Sequence, residues 1–297
     1  MELFQQSVKA AAKVKQLSDM VIFRHTLFAL PFVFIGVLVA QGGLPSNSKL
    51  TWILLALLGA RNGANALNRL VDSDIDARNP RTAGRHIPKG ILKKWEVLLF
   101  TVACFILFIV SAFMLNPICV YLLPVPLFLF IIYSFTKRFT WLCHFVLGAA
   151  VGGAPMGGWL AIKGELIFPD IIVPFIFWGI VALWVAGFDI IYGTLDYEFD
   201  IQNDIHSVPA RFGIENALKI SALCHFTTVA LLYLIPVFYP MGWAYYTAVT
   251  IVAGMLIYEH KIVSPTNLTN VKIASYNVNE LVGIVVLIGV LVDVIVV

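Results

Sequence analysis

The sequence predicts an all-α integral membrane protein, and its composition is the first observation that does so. Of its 297 residues, 60% are hydrophobic and only 12% are charged, whereas a soluble domain is about half apolar and about a quarter charged. So few charged side chains do not cover the surface of a soluble domain of this size, and that class is excluded. The 21 Gly and 14 Pro residues are ordinary counts, which excludes collagen and intrinsic disorder.

Apolar stretches long enough to cross a membrane are the second observation, since a spanning helix needs about 20 apolar residues. In chain order, nine stretches qualify, and they cover residues 21–41, 51–70, 97–115, 118–135, 141–162, 170–193, 216–236, 241–259 and 280–297. Asn116 and Pro117 separate the third from the fourth and predict a tight turn there. We therefore expect nine transmembrane helices in a single domain over residues 1–297. Residues 1–20 form a polar segment without the features of a cleaved signal peptide.

The basic residues predict the orientation in the bilayer. Of the 20 Lys and Arg residues, only Lys49 and Lys163 fall in loops on the side opposite the N-terminus, and Arg61 lies within the second span. Because cytoplasmic loops are enriched in Lys and Arg, we expect the N-terminus in the cytoplasm and, after nine spans, the C-terminus outside. The net charge of +3 is too small to indicate a nucleic-acid partner, and no protein partner is predicted.

A segment rich in small residues lies within the fifth span. Residues 148–158 read GAAVGGAPMGG. Small side chains let two helix backbones approach closely in a membrane, and this favours a packing role. The alternative is that they leave room for an elongated ligand, and the sequence leaves both interpretations open.

The first acidic cluster follows the second span, in NRLVDSDIDARNPRTAGR, residues 68–85. Asn68, Asp72 and Asp76 are each four residues apart. Four helical steps advance about 400°, so we expect these three side chains on one helix face. Asp74 points away from that face and is interpreted as a solvated acid.

The second cluster follows the sixth span, in DIIYGTLDYEFDIQND, residues 189–204. Asp189, Tyr192, Asp196 and Asp200 again have the spacing of one helix face. By the predicted topology, both clusters lie on the cytoplasmic side. The spacing therefore predicts two acidic helix ends that face the same compartment.

Acids held close together need a cationic partner, because they otherwise raise one another's pKa values. Mg²⁺ is typically held by one or two carboxylates together with substrate phosphates. Arg81, Arg85 and Lys89 follow the first cluster, and Lys137 and Arg138 lie in the next predicted cytoplasmic loop. We therefore expect a Mg²⁺-dependent diphosphate site whose substrate places an apolar tail in the membrane. A cation-coupled transporter is the alternative from a different class, but its charges are expected nearer mid-span.

The two motifs resemble those of the UbiA-type intramembrane prenyltransferases, which carry NxxxDxxxD on the second helix and DxxYxxxDxxxD on the sixth. The segments ALNRLVDSDIDARNPRTAGRHIPKG and DIHSVPARFG resemble the bacterial branch that prenylates 4-hydroxybenzoate or a related quinone precursor. The resemblance implies nine helices around a central cavity in a bacterial inner membrane. It also implies transfer from a polyprenyl diphosphate to an aromatic acceptor in ubiquinone or menaquinone biosynthesis. The expected acceptor is 4-hydroxybenzoate, with 1,4-dihydroxy-6-naphthoate as the alternative.

The resemblance also implies a role for each motif residue. It assigns the metal side of the site to Asn68, Asp72, Asp76, Asp196 and Asp200. It places Asp189 and Tyr192 deeper, near the reacting carbon or the acceptor.

Substrate contacts and cap loops follow from the same resemblance. Arg81, Tyr133 and Lys137 are expected on the diphosphate, and Arg24 is our candidate for the carboxylate of the acceptor. The loops over about 72–96 and 197–215 are expected to cap the site on the cytoplasmic side.

Overall fold

The structure is a computed structural model that describes residues 12–21 and 26–295. Over these residues the chain is helical, and its extended pairing is confined to an isolated bridge between Ser264 and Asn267. In chain order the helices are α1 (residues 12–20), α2 (Thr26–Gln41), α3 (Asn47–Val71), α4 (Ser73–Arg78), α5 (Lys94–Leu115), α6 (Pro117–Leu122), α7 (Pro124–Thr136), α8 (Cys143–Lys163), α9 (Ile172–Gly193), α10 (Tyr197–Gln202), α11 (Val208–Phe238), α12 (Trp243–Lys261) and α13 (Asn279–Ile295). A 3₁₀ turn joins α9 to α10, and a π-helical turn precedes α13.

Helices lie within each of the nine predicted spans. Among the described residues, six helical segments are long and apolar enough to cross a membrane: Lys94–Leu115, Pro117–Thr136, Cys143–Lys163, Ile172–Gln202, Val208–Phe238 and Ile273–Ile295. Helix α3 is less apolar because it carries polar and charged side chains such as Arg61, Asn65 and Arg69. The structure therefore confirms an all-helical membrane protein, while the count of nine spans stays a prediction.

The turn predicted at Asn116 is present. Helix α5 ends at Leu115, and the Asn116 side chain accepts a hydrogen bond from the backbone N–H of Cys119 at 3.0 Å. Its amide nitrogen donates to the carbonyl of Leu160 at 2.9 Å. Asn116 thus caps the next helix and also ties the turn to α8.

The small residues of α8 serve different purposes on its two faces. A Cβ atom on Gly148 would lie 2.1 Å from the carbonyl oxygen of Ala182 in α9, and one on Gly158 would lie 2.2 Å from that of Val33 in α2. Such distances leave room for glycine only, which confirms close helix packing. Gly153 and Gly157 have nothing within 4 Å of that position and border a cavity. Both interpretations of residues 148–158 therefore have a counterpart in the structure.

The predicted outer loops meet at one end of the bundle. Nζ of Lys49, in the first turn of α3, donates to the carbonyl of Ile162 at 3.3 Å, next to Lys163 at the end of α8. The two acidic segments meet at the other end, where α3 and α9 both finish. Between the two ends lies an apolar core that includes Phe32, Trp159 and Trp184.

Candidate active site

The first acidic segment keeps its helical register across the end of α3. The backbone N–H of Asp72 donates to the carbonyl of Asn68 at 2.9 Å, and that of Asp76 donates to the carbonyl of Asp72 at 2.8 Å. Asp72 and Asp76 are only 2% and 3% exposed. The Asp74 side chain is exposed, and a hydrogen bond from Lys94 lowers its pKa. The predicted shared face and the solvated position of Asp74 are both confirmed.

The second acidic segment departs from the single helix face that its spacing predicts. Helix α9 ends at Gly193, and the residues Thr194–Asp196 form a 3₁₀ turn before α10 begins at Tyr197. A 3₁₀ turn holds three residues instead of 3.6, so the side chains after it are rotated relative to those before it. The expectation of one continuous face from Asp189 to Asp200 was therefore wrong.

The three predicted site acids of the second segment, before, within and after this turn, have different partners. Nδ1 of His144 lies 2.6 Å from Oδ2 of Asp189. Asp196 accepts hydrogen bonds from Arg81 in the first segment, and Asp200 accepts one from the hydroxyl of Ser207 at 2.7 Å.

Arg81 joins the two acidic segments. Its guanidinium contacts both carboxylate oxygens of Asp196, with Nε at 2.8 Å from Oδ1. Its Nη1 donates to the hydroxyl of Tyr192 at 2.6 Å, and its Cζ lies 4.9 Å from the centre of that ring. The amide nitrogen of Asn79 also donates to Asp196, at 2.8 Å. The sequence predicted Arg81 and Tyr192 as site residues, whereas nothing in the spacing indicated Asn79.

Basic side chains also hold the buried acids of the first segment. Oδ2 of Asp72 lies 2.7 Å from Nζ of Lys137 and accepts from the Asn68 amide at 2.9 Å. Oδ1 of Asp72 lies 3.2 Å from Nη1 of Arg138. Nη1 of Arg85 lies 2.6 Å from Oδ1 of Asp76. Each predicted metal-side acid of this segment thus already has a cationic partner.

The acids do not form a common cluster in the structure. Within residues 12–21 and 26–295, no group of three or more His, Cys, Asp or Glu side chains is placed to hold a metal ion. The donor types nevertheless suit Mg²⁺, which takes oxygen ligands. Oδ2 of Asp76 is buried and has no hydrogen-bond partner among the described residues. Because a buried carboxylate oxygen without a partner is costly, this atom fits a cation that binds together with substrate.

A polar cavity of about 350 Å³ lies beside these residues. Asp76, Arg81, Arg85 and Tyr192 line it, as the sequence leads one to expect. Sequence reasoning missed other side chains that line it: Asp19, Arg69, His86 and Tyr276. Arg69 lies within the first acidic segment and His86 directly follows it, whereas Asp19 and Tyr276 come from distant parts of the chain and no local spacing connects them with the motifs.

A larger apolar cavity of about 510 Å³ lies deeper in the bundle. Among its described lining residues, Arg61 is the one charged side chain. Tyr133 also lines this cavity, and its hydroxyl donates to the carbonyl of Ala64 at 3.1 Å. Tyr133 is therefore not placed at the polar cavity where it was expected. Arg24 lies outside the described residues.

Comparisons with known proteins agree with this arrangement. The model of the UbiA prenyltransferase family matches residues 29–281. A 4-hydroxybenzoate octaprenyltransferase from Vibrio campbellii is 30% identical over 273 residues, which cover 90% of this chain and 91% of that protein. The enzyme of the same name from Vibrio parahaemolyticus is 31% identical over 270 residues, again 90% of this chain and 91% of that protein.

Solved structures share the same fold. The apo structure of a UbiA homologue from Aeropyrum pernix has a TM-score of 0.83 and 30% identity, and the match covers 91% of this chain and 98% of that one. A UbiA homologue from Archaeoglobus fulgidus bound to DMAPP and Mg²⁺ has a TM-score of 0.66 and 20% identity, with 91% and 99% covered. The chain is an integral membrane enzyme and belongs to the UbiA prenyltransferase family.

Proposed function

We propose that the protein transfers a polyprenyl group from a polyprenyl diphosphate to 4-hydroxybenzoate, in a Mg²⁺-dependent step of quinone biosynthesis. The observation that carries this proposal is the meeting of the two acidic segments, held by Arg and Lys side chains, above an apolar cavity of about 510 Å³. A diphosphate needs the polar end, and a polyprenyl tail needs the apolar one. The names of the Vibrio relatives support 4-hydroxybenzoate as the acceptor.

The polar end is suited to departure of the diphosphate. The bond between C1 of the prenyl group and the diphosphate oxygen breaks, and its electron pair leaves with the diphosphate. Arg81, Arg85 and Lys137 are already fixed by the acids, so they stabilise the new negative charge without first reorganising. Mg²⁺ would be held by Asp72, Asp76, Asp196 and Asp200 with Asn68, and it supplies further neutralisation of that charge when bound.

The acceptor then reacts in a dry environment. The ring carbon ortho to the phenolic hydroxyl forms a bond with prenyl C1, and the proton lost from that carbon passes to a base. Asp189, paired with His144 and deeper along α9 than Asp196, is suited to accept this proton. The apolar lining excludes the water that would otherwise trap the prenyl cation. Arg24 stays the predicted partner of the acceptor carboxylate, and Arg61, the one charged side chain among the described lining residues of that cavity, is a second candidate.

An activity assay with matched acids tests this proposal. We expect Asp76→Ala to lower Mg²⁺-dependent transfer of a labelled prenyl group at least about 100-fold, because charge stabilisation of the leaving group is lost. The control is Asp74→Ala, which removes an exposed acid two residues away and keeps near wild-type transfer. Equal activity of the two variants would contradict the proposed site.

The same assay identifies the acceptor. Purified protein is offered 4-hydroxybenzoate and 1,4-dihydroxy-6-naphthoate together, and the prenylated products are separated by mass. We expect the 4-hydroxybenzoate product to dominate. If the naphthoate product dominates, the prenyltransferase activity stands and the acceptor is 1,4-dihydroxy-6-naphthoate instead. The absence of both products would contradict the proposal.

The membrane arrangement belongs to the same proposal. We infer nine spans, with the N-terminus in the cytoplasm, the C-terminus outside, and the bacterial inner membrane as the location. The distribution of Lys and Arg supports this orientation. The residues about 72–96 and 197–215 then cap the site on the cytoplasmic side, where Arg78 of α4 donates to the Asn203 side chain at 3.2 Å.

A further inference from the structure

A π-helical turn brings an additional aromatic residue to the site. The turn covers Ile273–Val278, directly before α13, and it carries Tyr276. The rings of Tyr276 and Tyr192 meet edge to face, with centroids 4.9 Å apart. Both side chains line the polar cavity. Tyr192 in turn contacts Arg81 through its hydroxyl and its ring, so Tyr276, Tyr192 and Arg81 contact one another in series.

A buried polar cluster lies immediately behind this turn. The Asn279 side chain donates through Nδ2 to Oε2 of Glu259 at 3.0 Å and to the carbonyl of Ala274 at 2.8 Å. Its Oδ1 accepts from the indole N–H of Trp184 at 2.5 Å. Glu259 is 0% exposed and Asn279 is 1% exposed. The side chains of Trp184 in α9 and Glu259 in α12 thus both bind the amide of Asn279 in α13, in the interior of the bundle.

This cluster acts on the backbone of the turn. A π-helix pairs residues five apart and interrupts the normal pattern of a helix, which is why such turns are rare and are often found at functional sites. The Asn279 amide satisfies the carbonyl of Ala274, five residues earlier, inside the turn. Ala274 itself is fully buried in an apolar cluster with Ile191 of α9. The turn is therefore held from both sides, and the direction of Tyr276 is fixed.

We propose that Tyr276 is a positioning residue of the diphosphate site, and that the Asn279–Glu259–Trp184 cluster sets the π-helical turn that carries it. Tyr276 supports the ring of Tyr192, and Tyr192 holds Arg81 in the orientation in which it meets Asp196 and the diphosphate. The inference rests on the proposed function, because it assumes that Arg81 binds a diphosphate. No motif spacing connects Tyr276 with the acidic segments, since it lies in the π-helical turn before α13, far from both segments in the sequence.

Binding of geranyl diphosphate with Mg²⁺, measured by calorimetry on the full chain in detergent, tests this inference without an acceptor. We expect Tyr276→Leu to weaken binding about tenfold, and Tyr276→Phe to weaken it less because the ring edge on Tyr192 is kept. The matched control is Tyr233→Leu, which removes a similar aromatic partner, that of Tyr246 at 6.3 Å, far from the site. It leaves the affinity unchanged.

The polar cluster is tested in the same assay. Glu259→Gln keeps an oxygen that accepts from Asn279 and retains wild-type affinity, whereas Glu259→Leu weakens binding as Tyr276→Leu does. We expect Tyr276→Leu and Glu259→Leu to be non-additive in the double variant, because both act through the same contact. In transfer assays the Leu variants raise KM for the prenyl diphosphate and leave KM for the acceptor unchanged.

The outcomes separate the inference from the proposed function. Wild-type affinity in folded Tyr276→Leu protein, or equal losses in Tyr276→Leu and Tyr233→Leu, would overturn the positioning role alone. Failure of the wild-type protein to bind geranyl diphosphate would overturn the proposed function and the inference together.

Discussion

Arg81 shows how much of the site depends on a single side chain. Burial acts to lower the pKa of Arg81, but the hydrogen bond and charge of Asp196 outweigh burial and raise this pKa. The guanidinium therefore stays charged at every working pH. Its planar fork contacts both oxygens of Asp196 and the hydroxyl of Tyr192 at once, a geometry that the single ammonium of Lys does not reproduce.

The variant Arg81→Lys tests this geometry with the charge preserved. We expect KM for the prenyl diphosphate to rise about tenfold or more, because a hydrogen bond to a charged group contributes about 1.5–3 kcal/mol. Arg78→Lys is the control, since Arg78 is exposed and contacts only Asn203 and the carbonyl of Asp74 among its described hydrogen bonds. Steady-state kinetics with both variants give the comparison, and an unchanged KM in Arg81→Lys would show that charge alone suffices.

His144 is the residue that sequence reasoning treated least adequately. It lies within the fifth predicted span and has no ligand-type spacing to another His. The structure pairs it with Asp189, 45 positions away in the sequence. Only the packing of α8 against α9 brings the two side chains together, so no local pattern could have indicated the pair.

At the scale of the elements, the two acidic motifs behave differently although their spacing is alike. The segment after α3 continues as a helix through Asp72 and Asp76, so its spacing predicted the geometry correctly. The segment after α9 tightens into a 3₁₀ turn at Thr194–Asp196. Periodicity assumes 3.6 residues per turn, and it fails where tertiary contacts, here the pairing of Asp196 with Arg81, favour a tighter turn.

Helix α8 offers a test at this scale. Gly158 lies on a face that packs against α2, whereas Gly153 lies on a face that borders the apolar cavity. We expect Gly158→Leu to reduce the yield of folded protein, since its Cβ would lie 2.2 Å from a backbone oxygen and overpacking costs about 1–3 kcal/mol or more. Gly153→Leu meets open space and folds normally. It narrows the apolar cavity, and we expect it to shorten the longest prenyl chain that is transferred.

Two measurements distinguish the glycine faces. Size-exclusion profiles in detergent report the folded yield, and mass spectrometry of products from prenyl diphosphates of increasing length reports the chain limit. A normal chain limit in Gly153→Leu would show that the prenyl tail does not pass this face of α8.

At the scale of the whole molecule, the inferred orientation predicts which loops each compartment reaches. Single cysteines introduced by Ser48→Cys and Lys89→Cys into a cysteine-free background lie at exposed positions. We expect a membrane-impermeant maleimide to label position 48 in right-side-out vesicles and position 89 only in inverted ones. The reverse pattern would contradict the cytoplasmic N-terminus, and labelling of both positions from one side would contradict an odd number of spans between them.

The sequence by itself determined the all-helical membrane class, the turn at Asn116 and the shared helix face of Asn68, Asp72 and Asp76. Hydropathy and helical period are local properties, so a single sequence carries them completely. Only the tertiary structure decided which basic residue meets which acid, as in the pairing of Arg81 with Asp196 across 115 positions. It alone placed Tyr133 at the apolar cavity and Tyr276 at the polar one. Such contacts follow from how the helices pack against one another, and no spacing within one helix records that packing.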